Sequence, residues 1–575
     1  MAERDPAASD GLVADVVMRR FAASRDPALA GAVRDLARAV REDHAALDLA
    51  SGAMDVDVDA LVDALGREPR LCEFLGASEE PARLGAPLVM VDGRFLSLRR
   101  LAVAEYRVAA ALVRARASAL DLPTGVSEAG FASAAAALGD ELAAAGTPSP
   151  ELAAVARRAL TRPISFVVGG PGTGKTWLAT QVLALLDRAL VASGDATATF
   201  AVAAPTGKAA RRVAETIDRA LAGGAFERLV RDRDREGSLH RLLSLHPTRS
   251  DPGRRLHHDV IVVDEVSMAD LPVLDALVRA SAGDARHQPR VLLVGDPYQL
   301  ASVNVGAVLA DAVRPEARDG DLVSELTVVH RTGHRPIIDL AGAVKDGDLA
   351  RVRALLSSGG VVSARRDVQD PAVLARVIEH ARAVGELAAA GDGPGALGEL
   401  GRRCVLAAHL EGPGSVAWWN AAVGAAHRRR HPVRAGERFS VGEPVLVTRN
   451  QRALDLSNGD LGVVVERDGR RVIAFEGGRV APVGAVGFLQ SAWAMTIHKS
   501  QGSEFDHVVV ALAREQSPLL TRELLYTGVT RASEGVTILG SDEALARAVA
   551  SPVSRVSALT HRLATWPSPV SGPAG

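Results

Sequence analysis

The sequence predicts an α/β protein built on parallel sheets. Three observations carry this. Four short runs are apolar throughout and end in polar residues: ISFVV (164–168), TFAVAAP (199–205), DVIVVDE (259–265) and RVLLVGD (290–296). Strands of that kind lie in parallel sheets covered by helices on both faces. The first run passes into GGPGTGKT (169–176) and then into the helix-like stretch TWLATQVLALLDRAL, which is the strand–loop–helix context of a P-loop. Further runs, RCVLAAH (403–409), HVVVAL (507–512) and VTILG (536–540), predict a second region of the same class.

The remaining blocks differ in pattern. Residues 1–118 carry apolar positions at helical spacing in stretches such as PALAGAVRDLARAVREDHAALDLASG, and predict a mainly helical domain with no recognisable chemistry, suited to docking. Residues 119–150 are rich in turn residues and alanine, ending in GTPSPE, and are read as a linker. The first α/β domain then spans 151–318, and the second spans 319–435 and 486–562. Between these last two pieces, residues 436–485 hold short β runs and the hairpin signals Asn458-Gly459 and Asp468-Gly469, which predict a small inserted β-barrel. The tail 563–575, with PSPVSGPAG, is expected to be disordered.

A chain of 575 residues is too long for one core, and at least three domains are expected. The formal net charge is only -2. A protein that coats duplex DNA is more basic, so any nucleic-acid site here must be a local groove. Aromatic residues make up 3% of the chain, which argues against an extended base-stacking platform. Cys72 and Cys404 are far apart and form no metal-binding spacing, so both are read as buried free thiols. The start MAERDPAASD lacks the apolar core of a signal peptide, and no apolar run is long enough to span a bilayer. A cytoplasmic protein is predicted.

The chemistry begins at the P-loop. Gly169, Gly170, Pro171, Gly172, Thr173 and Gly174 let main-chain N–H groups face phosphate oxygens, beside the positive end of the following helix. Lys175 is placed to reach the β- and γ-phosphates of ATP, and Thr176 to ligate Mg²⁺. Asp264 and Glu265 end an apolar strand, as a Walker B pair requires. Asp264 would hold the metal and Glu265 would polarise the attacking water. GDPYQL (295–300) ends the next strand, and its Gln299 could sense the γ-phosphate and report it to the neighbouring domain.

GGPGTGKT, APTGKAARRVAE (204–215), SLHRLL (238–243), VVDEVSMAD (262–270), GDPYQLASVNVGAVL (295–309), WAMTIHKSQGSEFDHVVV (493–510) and LLYTGVTRASEGVTILG (524–540) occur in order. Together they resemble the superfamily 1B helicases, and within them the RecD family, the α subunits of RecBCD-type exonuclease V. VTRNQRALDLSNGDLGVV (447–464) is also typical of RecD-like chains, and the segment around Phe95 to Arg107 is similar more weakly. The resemblance implies two RecA-like P-loop domains with ATP between them, an SH3-like inserted barrel, and partnership with RecB and RecC subunits at duplex ends. It implies that Arg331, in VVHRTG, and Arg531, in GVTRA, reach the γ-phosphate from the second domain. It places Gly502 and Glu504 near the nucleotide. It assigns Thr206, Lys208 and His240 to the phosphates of single-stranded DNA from the first domain, and His498, Lys499 and Ser500 from the second. The implied activity is an ATP-driven 5′-to-3′ single-stranded DNA translocase and helicase acting in double-strand break repair.

Three departures from that family have consequences. The stretch PELAAVARRALTRPIS has no Gln at the point where related helicases read adenine, which predicts a loosened preference for ATP. SLHPTRSDPGRRLHHD is short, so a strand-separating hairpin placed there is a stub. No helix-hairpin-helix motif of the stand-alone RecD-like helicases is visible, which favours a complex subunit over a stand-alone enzyme. No carboxylate cluster with a lysine suggests a nuclease, so cleavage is expected from a partner. A regulatory subunit with an idle ATPase is the competing class, and intact Lys175, Asp264, Glu265, Gln299 and Arg531 argue against it.

Overall fold

A computed structural model describes residues 6–24, 26–51, 57–82, 85–147, 149–194, 196–222, 227–232, 237–245, 255–284, 287–302, 304–314, 322–328 and 335–567. It is an α/β structure with two parallel sheets, one antiparallel sheet and one mixed sheet.

The first parallel sheet has seven strands. Its order is Val323–Leu326, Ile164–Gly169, Arg290–Gly295, Val260–Val263, Ala198–Ala204 and Leu229–Arg231, with Gly237–Ser238 also paired to Ala198–Ala204. The register sets Phe166 beside Leu293, Leu293 beside Val263, and Val263 beside Ala203. The central strands are buried along their whole length, as their unbroken apolar sequence requires. Because all strands run one way, the P-loop, Asp264, the loop holding Gln299, and Thr206 emerge at the same edge.

The second parallel sheet has five strands in the order Val362–Arg365, Ala532–Leu539, Phe505–Ala511, Arg403–Ala407 and Ala494–Thr496. Inserted before its last three strands in sequence is the antiparallel sheet: Val480–Pro482, Arg470–Phe475, Leu461–Arg467, Pro444–Val447 and Leu489–Ser491. Asp468 and Gly469 both take positive φ, 51° and 73°, which closes the predicted two-residue hairpin between Arg467 and Arg470. Phe439, Val445, Val464, Ile473 and Phe475 give this module its own core.

The N-terminal block is more than helices. Strands Ala46–Asp48, Phe95–Leu98, Leu88–Val91 and Cys72–Leu75 form a four-stranded mixed sheet, with helices Pro27–Arg41 and Val58–Gly66 packed on it. The β-like run PLVMVDGRFLSL (87–98) signals two of these strands, Leu88–Val91 and Phe95–Leu98, while Ala46–Asp48 and Cys72–Leu75 are too short to show a period beside long helices. Cys72 lies in this sheet and Cys404 in the second parallel sheet. Both are buried, and burial pushes each thiol up to about 12.

The domain boundaries drawn from sequence shift in three places. Helix Arg99–Ala117 packs Leu101, Val108 and Leu112 against Ile164, Phe166 and Leu293, so it belongs to the first parallel sheet's core rather than to the N-terminal block. The stretch read as a linker contains helix Glu128–Ala144, whose Phe131 and Leu138 pack with Leu186 and Leu190 of the P-loop helix. Its alanine-rich composition hid an ordinary packed helix. Ser551 and Val553 still bond to helix Arg522–Val529 of the second domain, but residues 555–567 leave it. They return along the first domain: Ala45 and Ala46 donate to the Val556 carbonyl, Arg555 donates to the Gly306 carbonyl at 2.9 Å, and helix Leu559–Thr565 packs on helix Arg99–Ala117. The beginning of the predicted tail is thus structured, with Trp566 against the Tyr106 ring. Residues 568–575 lie outside the described residues. Among the described residues no helix is long and apolar enough to cross a membrane.

Candidate nucleotide and DNA site

The P-loop leaves strand Ile164–Gly169 and enters helix Lys175–Ser193. Gly172 and Gly174 sit at φ 70° and 77°, a region that side chains resist. Gly169 is required for a different reason: a Cβ there would lie 2.7 Å from Thr173 Oγ1 and 2.8 Å from the Leu326 carbonyl oxygen. The Lys175 ammonium donates to the Gly169 and Gly170 carbonyls, each at 2.8 Å, which holds it across the loop mouth.

Thr176 donates its hydroxyl to Asp264 Oδ2 at 2.6 Å, joining the P-loop to the neighbouring strand end. Burial, and then the Glu265 charge, push the Asp264 carboxyl up to about 6. Glu265 follows at φ 51°, and its N–H donates to Asp264 Oδ1 at 2.7 Å. This left-handed turn aims Glu265 into the cleft while Asp264 stays buried. Gln299 is buried and donates to Asp296 Oδ2 at 3.3 Å, while its Oε1 has no partner among the described residues.

The second sheet supplies the opposite wall. Lys175, Thr176, Asp264, Glu265 and Gln299 face Gly502, Glu504 and Arg531 around one cleft of about 340 Å³. Arg531 follows helix Arg522–Val529 and is almost wholly buried. Its guanidinium donates to the Thr527 carbonyl at 3.2 Å and the Ser503 carbonyl at 3.3 Å. Burial lowers its pKa, and the Glu265 charge opposes that shift. Hydrogen bonds tie the walls together: Tyr526 to Asp296 at 3.0 Å, Leu300 N–H to Thr527 at 2.9 Å, Gln501 to the Leu300 carbonyl at 3.0 Å, and Arg212 to Glu504 at 2.9 Å.

These donors fit a magnesium nucleotide. Thr176 and Asp264 bring two oxygens together at the P-loop, the lysine and loop N–H groups suit phosphates, and Gln299 keeps a buried acceptor unpaired beside them. Arg331 lies outside the described residues, as does most of the short segment between SLHRLL and the Walker B strand.

Sequence reasoning missed Arg212, Thr216 and Arg219, which line the cleft from helix Gly207–Ala222. Their i, i+4, i+7 spacing puts them on one helical face, and that was the available signal. Trp177 and Val213 offer the cleft an apolar surface.

The residues assigned to DNA divide. Thr206 and His240 leave adjacent strands, since Ala204 pairs with Ser238. His240 is exposed, while Thr206 is half-buried and caps its helix by accepting from the Ala209 N–H at 3.2 Å. Lys208 stands 4.0 Å from Glu476 of the antiparallel module. His498 and Lys499 share the short turn Ile497–Ser500, and burial lowers the pKa of each. Ser500 corrects the expectation of a surface contact. It is fully buried and donates to the Ile497 carbonyl at 2.7 Å, so its hydroxyl shapes the turn that displays its neighbours.

An AAA domain model matches residues 148–366, and a UvrD-like helicase C-terminal domain model matches 491–539. The RecBCD enzyme subunit RecD of Mycobacterium tuberculosis is 41% identical over 419 residues, covering 70% of this chain and 71% of that one. The ATP-dependent RecD2 DNA helicase of Deinococcus radiodurans is 29% identical over 411 residues, 69% of this chain and 49% of that one. A solved structure of two coordinating Pif1 helicases at forked duplex DNA aligns at 18% identity and a TM-score of 0.39, covering 68% of this chain and 91% of that one. With the P-loop, the Walker B pair and the opposed arginine in one cleft, and with that identity to a RecBCD subunit over most of both chains, this chain belongs to the RecD family.

Proposed function

We propose that the chain is the ATP-dependent 5′-to-3′ single-stranded DNA translocase and helicase subunit of a RecBCD-type enzyme that processes double-strand breaks in the cytoplasm. The observation that carries this reading is the shared cleft. Lys175, Thr176, Asp264 and Glu265 come from one sheet, and Arg531 comes from the other. A nucleotide bound there touches both walls, so its binding and hydrolysis change how the walls sit. We read the two parallel sheets as RecA-like motor domains and the antiparallel insert as an SH3-like barrel.

In this mechanism Lys175 and the loop N–H groups hold the phosphates, and Thr176 and Asp264 hold Mg²⁺. Glu265 accepts a proton from the attacking water. Arg531 meets the charge that builds on the transferred phosphoryl group, where one such arginine contributes roughly 10³-fold or more. Gln299, anchored to Asp296 with Tyr526 on the same carboxylate, passes the state of the γ-phosphate to the second domain. Thr206, Lys208 and His240 on one side, with His498 and Lys499 on the other, grip the strand in turn. These contacts position the strand without reading its sequence.

RecB and RecC are the proposed partners, and nuclease activity is assigned to a partner. The first helix, Pro6–Phe21, supports a docking role, because Leu12, Val13 and Val16 leave an apolar face in solvent. The test is DNA-stimulated ATPase and unwinding by the assembled complex, on duplexes with 5′ or 3′ overhangs. Lys175→Gln is expected to abolish turnover by this subunit with the fold retained. Near-normal turnover in that variant, or unwinding only from 3′ overhangs, overturns the reading.

A further inference from the structure

Phe488 stands apart from the other aromatic residues of the chain. It is the most exposed of the described phenylalanines, at 55%, and its backbone is left-handed, with φ 49°. For a bulky side chain that conformation is strained, and strain of this kind persists where surrounding bonds hold it. Here they do. The Phe488 carbonyl accepts from both the N–H and the hydroxyl of Thr448, each at 2.8 Å. The preceding residue is clamped as well: Gly487 N–H donates to Gln451 Oε1 at 2.9 Å, and Gln451 Nε2 donates to the Gly487 carbonyl at 2.8 Å. The loop spends four hydrogen bonds to hold an aromatic ring out in water.

The ring has a cation beside it. The Arg449 guanidinium carbon lies 4.5 Å from its centroid, and Arg449 is exposed with no carboxylate at ion-pair distance among the described residues. An unneutralised arginine stacked on an exposed aromatic is the combination that takes a phosphate and a base together. The location agrees. Arg449 belongs to the stretch VTRNQRALDLSNGD (447–460), whose far end lies against the first domain at the start of helix Gly207–Ala222. A Cβ at Gly207 would lie 2.4 Å from Ser457 Oγ, and Arg211 Nη1 is 3.0 Å from Asp460 Oδ1. Asn458 N–H donates to Asn450 Oδ1 at 2.7 Å, tying that contact to the residue after Arg449. Thr206 and Lys208, at the head of the same helix, are the first domain's proposed phosphate contacts.

We propose that Phe488 and Arg449 form a single-base stacking post on the antiparallel module, with Phe488 taking one base of the single strand and Arg449 an adjacent phosphate. The proposal rests on the single-stranded DNA reading given above. A base has a π-face whatever its identity, so the post is indifferent to sequence, as a translocase requires. It holds the strand on a module outside both walls of the nucleotide cleft, adding a contact beside those that alternate.

The test is fluorescence anisotropy of the full chain with a labelled oligo-dT, beside thermal melting of each variant. Phe488→Ala and Phe488→Gly are expected to weaken binding by about 5- to 100-fold, and Phe488→Tyr by less than about twofold. Phe488→Gly is the decisive variant. Glycine accepts φ 49° without strain, so its melting temperature is expected at or above that of wild type while affinity falls. Arg449→Ala should reduce the slope of log affinity against log salt by about 0.7. A 2-aminopurine placed in the bound strand should be quenched by wild type and released from quenching by Phe488→Gly. Wild-type binding with Phe488→Gly unchanged overturns the stacking post alone. Failure of wild type to bind any single strand overturns the DNA reading and the post with it.

Discussion

Arg212 and Glu504 meet at 2.9 Å across the nucleotide cleft, one from each α/β domain. Arg212 also donates to the Gly502 carbonyl at 3.2 Å, so one side chain holds two of the cleft residues of the HKSQGSEF segment. The Arg212 side chain is half exposed, and a pair of this kind contributes under about 1 kcal/mol. Glu504→Gln should therefore favour the open cleft modestly. The expected result is an ATP KM raised by about two- to fivefold with kcat within about twofold, measured by DNA-stimulated ATPase. A large loss of kcat instead would put Glu504 in the chemical step.

Arg531 is the group on the second wall proposed to meet the phosphates. Arg531→Ala is expected to bind nucleotide nearly normally and to turn over at least about a hundredfold slower, allowing for partial rescue by Arg331. Single-turnover ATPase and equilibrium nucleotide binding separate the two effects. A rate within threefold of wild type would remove Arg531 from the phosphate.

Nucleotide choice should be loose. The helix before the P-loop, Leu152–Thr161, carries no Gln; Trp177 and Val213 give the cleft an apolar surface, and its Gln299 amide is held on Asp296. Stacking and backbone contacts hold any base. GTP and CTP are expected to support turnover within roughly a factor of ten of ATP, since a missing base-specific hydrogen bond is worth about 1 kcal/mol. Strict selection of ATP in a competition assay would reveal an adenine reader elsewhere.

Glu105 links stability to pH. Burial pushes its carboxyl up to about 8, against the pull of the Arg562 charge, from an ordinary 4.5. The folded chain keeps a proton there that the unfolded chain releases. The stability tied to that proton is complete below about pH 4.5 and is lost as pH rises toward about 8. Glu105→Gln keeps the shape and removes the titration. Its melting temperature should rise relative to wild type between pH 6 and 8.5, by roughly 2 °C or more at the upper end. An offset that stays constant with pH would show that Glu105 is charged in the fold.

Docking to the partners can be tested without truncation. Deleting residues 1–118 would strip helix Arg99–Ala117 from the first motor core, so a loss of activity would say nothing about docking. Leu12→Asp with Val16→Asp alters only an exposed face. Co-purification with RecB and RecC should fall at least about tenfold, as expected for buried apolar contacts replaced by charge, with ATPase little changed. Retained assembly would move the interface elsewhere.

The sequence by itself located the candidate nucleotide residues. Lys175, Thr176, Asp264, Glu265 and Gln299 sit within short motifs whose spacing is set by a strand end, a loop and a helix start. The same local rules found the strands, because a strand buried on both faces must be apolar throughout. The tertiary structure decided what depends on distant packing. It set Arg212 against Glu504, 292 residues apart, and it buried Ser500 fully while leaving Lys499 half-buried. It returned residues 555–567 to the first domain through Arg555 and Val556 and drew the helix Glu128–Ala144 out of an alanine-rich stretch. It also stood Phe488 in solvent on a left-handed backbone. Such features have no local period. Burial and pairing belong to the surface that a segment meets, and only the assembled fold supplies that surface.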